Sequence, residues 1–307
     1  MKSLLRHWIW KAERATGLDL WIAAREDKTS WKKFIPLSRY YEGENDIHFQ
    51  RRGVNLHLPL QEYTNWKFFA GEPFLAISLA SIPRHAGKLI LDIGANCGFF
   101  SLAVAKLWEN SPSHSQPHII SFEPNPTIFN RLKRHLTINP QLAPLISPEL
   151  KGLGEKQDIL EMSIPVRNSG LGSLVRYQGG ADEEMETHKV EIQSLDTFVS
   201  GLPQRAPLSF CKIDVECYEP FVLKGGLETL KRDHPCLHVE YSLACDQYHS
   251  LGERYLLDLL ESLDYQLFIV GTDHLTPFPK GTQFPAGSKP VDILATIHPE
   301  DYQHWVH

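Results

Sequence analysis

From residue 89 onward the hydrophobic positions switch repeatedly between two spacings. Short apolar runs at 89–92, 118–123, 143–147, 208–215, 236–241, 265–270 and 291–297 read as buried strands. Between them, apolar residues return every three or four positions at 99–108, 126–139, 220–231 and 253–263, which is the spacing of helices. Pro126 and Asn139 sit where helix ends favour them, and a further short helix starts at 194–198. Strands alternating with helices predict an α/β fold, a doubly wound and mostly parallel sheet with helices on both faces. Its ligands belong at the carboxyl ends of the strands. Residues 156–194 break the rhythm: alternating segments at 158–166, 172–177 and 189–192 read as an inserted hairpin. Residues 277–290, rich in Gly and Pro, read as a loop.

The chain ahead of residue 86 is patterned differently. Residues 1–45 read as one or two helices and an irregular aromatic segment. Ile47, Phe49, Val54, Leu56, Leu58 and Leu60 alternate in part with polar residues around Arg51-Arg52-Gly53, which predicts a small β-hairpin. A helix is expected over 66–83, with Phe69, Phe74, Leu75, Ile77, Leu79 and Ile82 as its apolar positions. The boundary falls near Ala86-Gly87, which separates a helical and hairpin extension (1–85) from the main domain (86–307).

Composition narrows the function classes. The 307 residues are 42% hydrophobic and 22% charged, which suits one large domain with an extension. A net charge of −6 lacks the basic footprint of a nucleic-acid binder, and no Asn-Pro-Pro-Tyr-like base-holding motif occurs. The cysteines at 97, 211, 217, 236 and 245 are odd in number and form no Cys-x-x-Cys pair. Reduced thiols in a cytoplasm are therefore expected, rather than a disulfide framework or a zinc site. No apolar stretch approaches the roughly 20 residues of a transmembrane helix, so no integral membrane association is expected. Residues 1–17 carry Leu4, Leu5, Trp8, Ile9 and Trp10, interrupted by Arg6, Lys11 and Arg14, and so lack a signal-peptide core. An interfacial helix is one reading of them. Packing on the protein's own core is the simpler one.

The chemistry concentrates after two strands. The first ends at Asp92 and leads through Gly94-Ala-Asn-Cys-Gly98 into a helix. Glycines there let backbone N–H groups approach a ligand closely. A P-loop would need Gly-Lys-Ser/Thr, and a dinucleotide fingerprint Gly-x-Gly-x-x-Gly. This wider Gly-x-x-x-Gly turn has a carboxylate at its entrance, which opposes a pyrophosphate and suits a cation. Glu123 ends the next strand, where a carboxylate can hold both hydroxyls of a ribose. A cationic nucleoside without pyrophosphate describes S-adenosylmethionine. Asn96 either touches the ligand or only orients the turn, since Asn tolerates left-handed backbone.

The second stretch is Phe210-Cys-Lys-Ile-Asp-Val-Glu-Cys-Tyr-Glu219. Lys212, Asp214 and Glu216 share one strand face. Charges there cost stability unless paired or placed in a cleft. They form either a salt-bridge row or the floor of an active site. Glu240 ends the following strand, with His238 on its face, so Asp214, Glu216 and Glu240 can converge. Such a cluster can act as a base, hold substrate hydroxyls or bind a divalent cation. The residue pattern leaves that choice open, and no metal ligand is assigned.

These stretches resemble the FkbM-type methyltransferase family, over roughly residues 88–245. The first motif is similar to Leu91-Asp-Ile-Gly-Ala-Asn-Cys-Gly-Phe-Phe100 and the second to Ser121-Phe-Glu-Pro-Asn-Pro126. Lys212-Ile-Asp-Val-Glu216, Glu219 and Glu240 also match. The resemblance implies a seven-stranded, Rossmann-like class I methyltransferase sheet and S-adenosylmethionine as the methyl donor. The acceptor implied is a hydroxyl on a small molecule, a sugar or glycan, or a natural product. Gly94 and Gly98 would shape the turn under the cofactor's methionine part, with Asp92 near its amino group and Asn96 beside it. Glu123 would hold the ribose, and Gly154 with Glu155 would edge the adenine. Asp214 or Glu216 would serve as base or orienting acid, grouped with Lys212 and Glu240. Residues 168–174 read as a substrate loop in which Ser169 and Ser173 bind hydroxyls. The family usually has glycine after its last motif Glu, where this chain has Cys217. That departure keeps a non-catalytic binding domain as the alternative, alongside amine or protein acceptors.

Overall fold

The computed structural model describes residues 38–41, 46–70, 82, 89–112, 116–165, 174, 184–203 and 206–306. The expected helices within 1–37, the stretch 71–81, the boundary at Ala86-Gly87 and the loop 168–173 lie outside these residues.

A 3-10 turn at Ser38–Tyr41 precedes the hairpin of β1 (Ile47–Arg51) and β2 (Val54–Leu58), antiparallel in register from Ile47↔Leu58 to Arg51↔Val54. Next come α1 (Tyr63–Ala70), β3 (Leu89–Ile93), α2 (Phe99–Trp108), β4 (His118–Phe122), α3 (Pro126–Ile138) and β5 (Ile146–Glu149). The inserted segment follows as β6 (Gly152–Gly154), β7 (Asp158–Pro165) and β8 (Met185–Ser194). The chain then runs through α4 (Leu195–Ser200), β9 (Leu208–Ile213), α5 (Glu219–Lys224), α6 (Leu227–Asp233), β10 (Cys236–Tyr241), α7 (Leu243–Tyr248) and α8 (Tyr255–Ser262). It closes with β11 (Gln266–Val270), β12 (Leu275–Phe278), β13 (Val291–Thr296) and a 3-10 segment at Pro299–Trp305.

The main sheet has eight strands in the order β12-β11-β13-β10-β9-β3-β4-β5. From β10 to β5 every pairing is parallel, while β13, β11 and β12 are antiparallel. This is the expected doubly wound sheet, with β12 as an eighth strand. Pro277 lies inside β12 opposite Phe268, in a stretch the sequence reads as loop. Proline is tolerated there because β12 is the edge strand of this sheet, bridged on its outer side at Leu275 by Val306 and not at Pro277. The insertion forms its own three-stranded sheet, β6-β8-β7, packed on Met162, Ile164, Val190 and Ile192.

The two faces of the sheet carry separate cores. Leu89, Leu91 and Ile93 of β3 face α4, α5, α6 and α8 through Leu195, Val222, Leu230 and Leu257. Ile90, on the opposite face, belongs with α2 and with Phe49, Leu56, Phe68 and Phe69 of the N-terminal segment. The hairpin and α1 therefore share the main domain's core. Polar ties from α3 hold them there. The Asn139 side chain accepts from Asn55 N–H (2.9 Å) and donates to Asn55 C=O (2.8 Å), so it pairs with β2 as a strand would. His135, fully buried, donates from Nδ1 to the Cys97 carbonyl (2.7 Å) and accepts from His57 N–H at Nε2 (3.1 Å). Arg131 grips Glu62 with both Nη atoms (2.9 and 2.7 Å), which fixes the start of α1.

Candidate active site

The carboxyl ends of β3, β4 and β9 meet at one junction. Gly94 N–H and Ala95 N–H both donate to the Phe122 carbonyl (3.0 and 2.9 Å), and Asp214 N–H donates to the Ile93 carbonyl (3.0 Å). Gly94 has φ +79°, and a methyl group there would overlap the Asp214 carbonyl oxygen. Glycine is required at that point by both conformation and contact. Gly98 (φ +82°) is the N-cap of α2 and lies against Leu132.

Glu123 joins the two turns. Its Oε2 accepts from Asn96 N–H and its Oε1 from Asn125 N–H, each at 2.9 Å. Burial pushes its carboxyl up to about 7, against the pull of those two N–H groups. Each oxygen retains lone-pair capacity toward the cleft. Asn96 itself is left-handed (φ +49°), with its side-chain oxygen on Cys97 N–H (2.7 Å).

Asp92 lies behind this wall. It is fully buried, its Oδ2 accepts from the Ser101 hydroxyl (2.6 Å), and Ser101 also meets the Ser121 hydroxyl (2.7 Å). Its Oδ1 has no hydrogen bond and stands 3.9 Å from Lys212 Nζ. Burial raises its carboxyl, an effect Lys212 opposes. Lys212 bridges inside and outside, because its Nζ also bonds Asp214 Oδ2 at 3.0 Å. Burial pulls the Lys212 ammonium down, but Asp214 and Asp92 outweigh that and hold it above its ordinary value.

Beyond β9 the chain makes a strained exit. Glu216 (φ +52°) and Cys217 (φ +76°) are consecutive left-handed residues without being glycine, at about 1–2 kcal/mol each. Val215 N–H donates to Glu219 Oε1 (2.8 Å) and His249 Nε2 to the Cys217 carbonyl (2.8 Å). Cys217 is disulfide-bonded to Cys245 of α7, with Cα atoms 5.1 Å apart. This corrects the expectation of five reduced thiols: only Cys97, Cys211 and Cys236 are free, all buried. It also accounts for the departure from glycine, since the position does need a positive φ and external ties supply what glycine would give freely. Burial, aided by Asp214, pushes Glu216 up to about 7. Burial likewise pushes Glu219 up to about 8, and it raises Glu240 with Asp214, Glu219 and Glu216 adding to the effect. Burial holds His238 below its ordinary value.

These elements border a cleft with about 1030 Å³ of space between atoms, open solvent at its mouth included. Of the sequence-derived residues, Gly94, Asn96, Glu123, Lys212, Asp214 and Glu216 line it. Asp92, Gly98, Gly154, Glu155 and Glu240 do not. Gly154 lies under the Tyr218 ring, and Glu155 pairs with Lys224 of α5 (3.0 Å). Among the described residues no group of three or more His, Cys, Asp or Glu is placed to hold a metal ion. Sequence reasoning missed Thr64 and Phe68 of α1, Met162 of β7 and Tyr218 on the walls. The only signal for the first two is that a hairpin and helix precede the Gly94 turn in the sequence.

A family model described as methyltransferase FkbM domain matches residues 92–267. Methyltransferase 1 of Beauveria bassiana (strain ARSEF 2860) is 24% identical over 173 residues, covering 52% of this chain and 66% of that protein. Methyltransferase sdnD of Sordaria araneosa is 26% identical over 171 residues, covering 48% and 62%. The match thus spans just under two thirds of the length of these relatives. Among solved structures, Methyltransferase FkbM from Methylobacillus flagellatus KT is 17% identical with a TM-score of 0.41, over 76% of this chain and 53% of that one. Among the described residues no helix is long and apolar enough to cross a membrane.

Proposed function

We propose that this chain, which belongs to the FkbM methyltransferase family, transfers a methyl group from S-adenosylmethionine to a hydroxyl of a sugar, glycan or natural-product acceptor. The observation that carries the reading is Glu123. It is a strand-end carboxylate on the cleft wall, clamped by Asn96 and Asn125 N–H groups beside the Gly94 turn.

The walls fit the donor's parts. Glu123 offers the acceptor pair that a ribose diol needs. Leu153 and Met162 give apolar surface for a purine, and the Gly94-Ala95-Asn96 turn borders the cleft with no side chain at Gly94. Asp92 is sealed behind that backbone by Ser101, so the carboxylate available to the methionyl ammonium is Asp214. When bound, S-adenosylmethionine supplies an electrophilic methyl on a sulfonium. The chain supplies alignment, an apolar wall from Phe68 and Phe99 that excludes water, and a proton acceptor. Glu216 is the group suited to the last role. It lines the cleft, and burial pushes its carboxyl up to about 7, where a general base works best. Lys212 holds Asp214 in place rather than meeting substrate first.

The test is transfer of labelled methyl from S-adenosylmethionine to a panel of sugars, phenols and amines. Label in the hydroxyl-bearing acceptors as ethers supports the reading, and label confined to amines or to the protein overturns it. Glu216→Gln should lower kcat with little change in KM for the donor.

A further inference from the structure

The exit from β9 adopts a conformation its own residues disfavour. Such backbone outliers persist only where the surroundings over-determine them, and they cluster at functional sites. The Glu219–Val215 hydrogen bond is local to the turn. The other two ties, the His249–Cys217 hydrogen bond and the Cys217–Cys245 bond, come from the far side of β10, the cysteines being 28 residues apart. Glu216 and Tyr218 line the cleft, whereas Cys217, between them, does not. The disulfide therefore acts on the cleft wall from outside it.

We propose that the Cys217–Cys245 bond is a redox-set brace for the active cleft. As a disulfide it holds the left-handed turn that keeps Glu216 and Tyr218 on the wall. As two thiols it leaves the turn free to relax, and the cleft loses that wall. Its functional consequence rests on the cofactor reading above, and its structural consequence does not. A dithiol reductant suffices for the change. One of its thiolates attacks a protein sulfur, its second thiol resolves the mixed disulfide, and two electrons and two protons pass to the cysteines as the reductant forms its own S–S bond. Cys217 is partly exposed, whereas Cys245 is buried, so the reductant approaches from the Cys217 side. The three other cysteines are fully buried and burial raises each thiol, Cys97 and Cys236 to about 12, so they form too little thiolate to scramble the pair. The bond is set in the chain directly between two residues of the cleft wall, Glu216 and Tyr218, where a change in its redox state would be felt.

The experiment compares oxidised and dithiothreitol-reduced protein, with reduction verified by a rise from three to five thiols per chain, titrated in denaturant after the reductant is removed. Amide hydrogen exchange across 214–219 is measured without ligand, and S-adenosylhomocysteine affinity by calorimetry. Reduction is expected to speed exchange in that segment and weaken binding about tenfold, the scale of one left-handed residue's penalty. Cys245→Ser should show both effects without reductant and no further response to it. Adding Cys217→Gly to that variant should recover binding, because glycine takes the positive φ unaided. Unchanged exchange and affinity in fully reduced protein overturn the brace. Binding by no form overturns the cofactor reading instead, and the exchange comparison then decides the brace alone. Should Cys245→Ser lack a melting transition, the wild-type comparison decides.

Discussion

Replacing Gly94 with Ala probes the junction on which the site is built. Two costs add. The first is conformational: φ at Gly94 is +79°, and an L-residue pays about 1–2 kcal/mol there. The second is steric. The new methyl overlaps the Asp214 carbonyl, and the strand ends cannot part without stretching the Asp214 N–H to Ile93 carbonyl bond of 3.0 Å. Forced overpacking of this kind costs about 1–3 kcal/mol. The sum is about 2–5 kcal/mol, or a fall in Tm of about 3–8 °C for a chain of this length. Gly281→Ala isolates the first cost, because Gly281 has the same φ of +79° with nothing within 4 Å of the added methyl. Urea denaturation of both variants gives the two free energies. Gly94→Ala should be the more destabilised by at least about 1 kcal/mol. Equal losses would refute the claim that the β3 turn and the β9 end are in enforced contact.

Further outcomes follow from the same structure. Glu123 and Glu219 are buried with folded pKa values of about 7 and 8, above the usual carboxylate range. The unfolded chain releases those protons first, so stability should fall as pH rises from about 4.5 to 8, and Glu219→Gln should flatten that slope in denaturation midpoints. A ribose diol donating to Glu123 favours its charged form. Binding near pH 7 should therefore release protons, seen as calorimetric heats that differ between buffers of different ionisation enthalpy, with the difference lost in Glu123→Ala. Arg131→Ala removes the cation from the buried Glu62 carboxylate, leaving it the neutral Asn65 amide (3.1 Å), and should cost about 3–5 kcal/mol in urea denaturation, with the double Arg131→Ala/Glu62→Ala variant less destabilised than additivity predicts.

What could be read from the sequence was whatever its local spacing encodes. The strand-turn-helix at Asp92–Phe100, the second carboxylate at Glu123 and the charged face of Lys212-Ile-Asp-Val-Glu216 all depend on near neighbours, and the parallel core follows from their alternation. What spacing cannot tell is which way a strand-end carboxylate points. Asp92 and Glu123 are equivalent as sequence, yet Ser101 draws one behind the wall and the Asn96 N–H holds the other on it. The Cys217–Cys245 pair was invisible for a related reason. It bridges a strand exit and a helix separated by β10, and cysteine at a glycine position gives no sign of the left-handed turn until that turn is seen. The helix α7 is six residues long, too short for periodicity to reveal. Asn139 read as a helix end, and it is one, but its side chain also finishes the β2 ladder.

The account stands most directly on whether the folded, oxidised chain binds the proposed donor through Glu123. Calorimetric titration with S-adenosylmethionine and S-adenosylhomocysteine should show one site per chain, weakened at least about tenfold by Glu123→Ala with the melting transition retained. Absence of binding of both ligands to protein with a native melting transition, or an affinity that Glu123→Ala leaves unchanged, would contradict it.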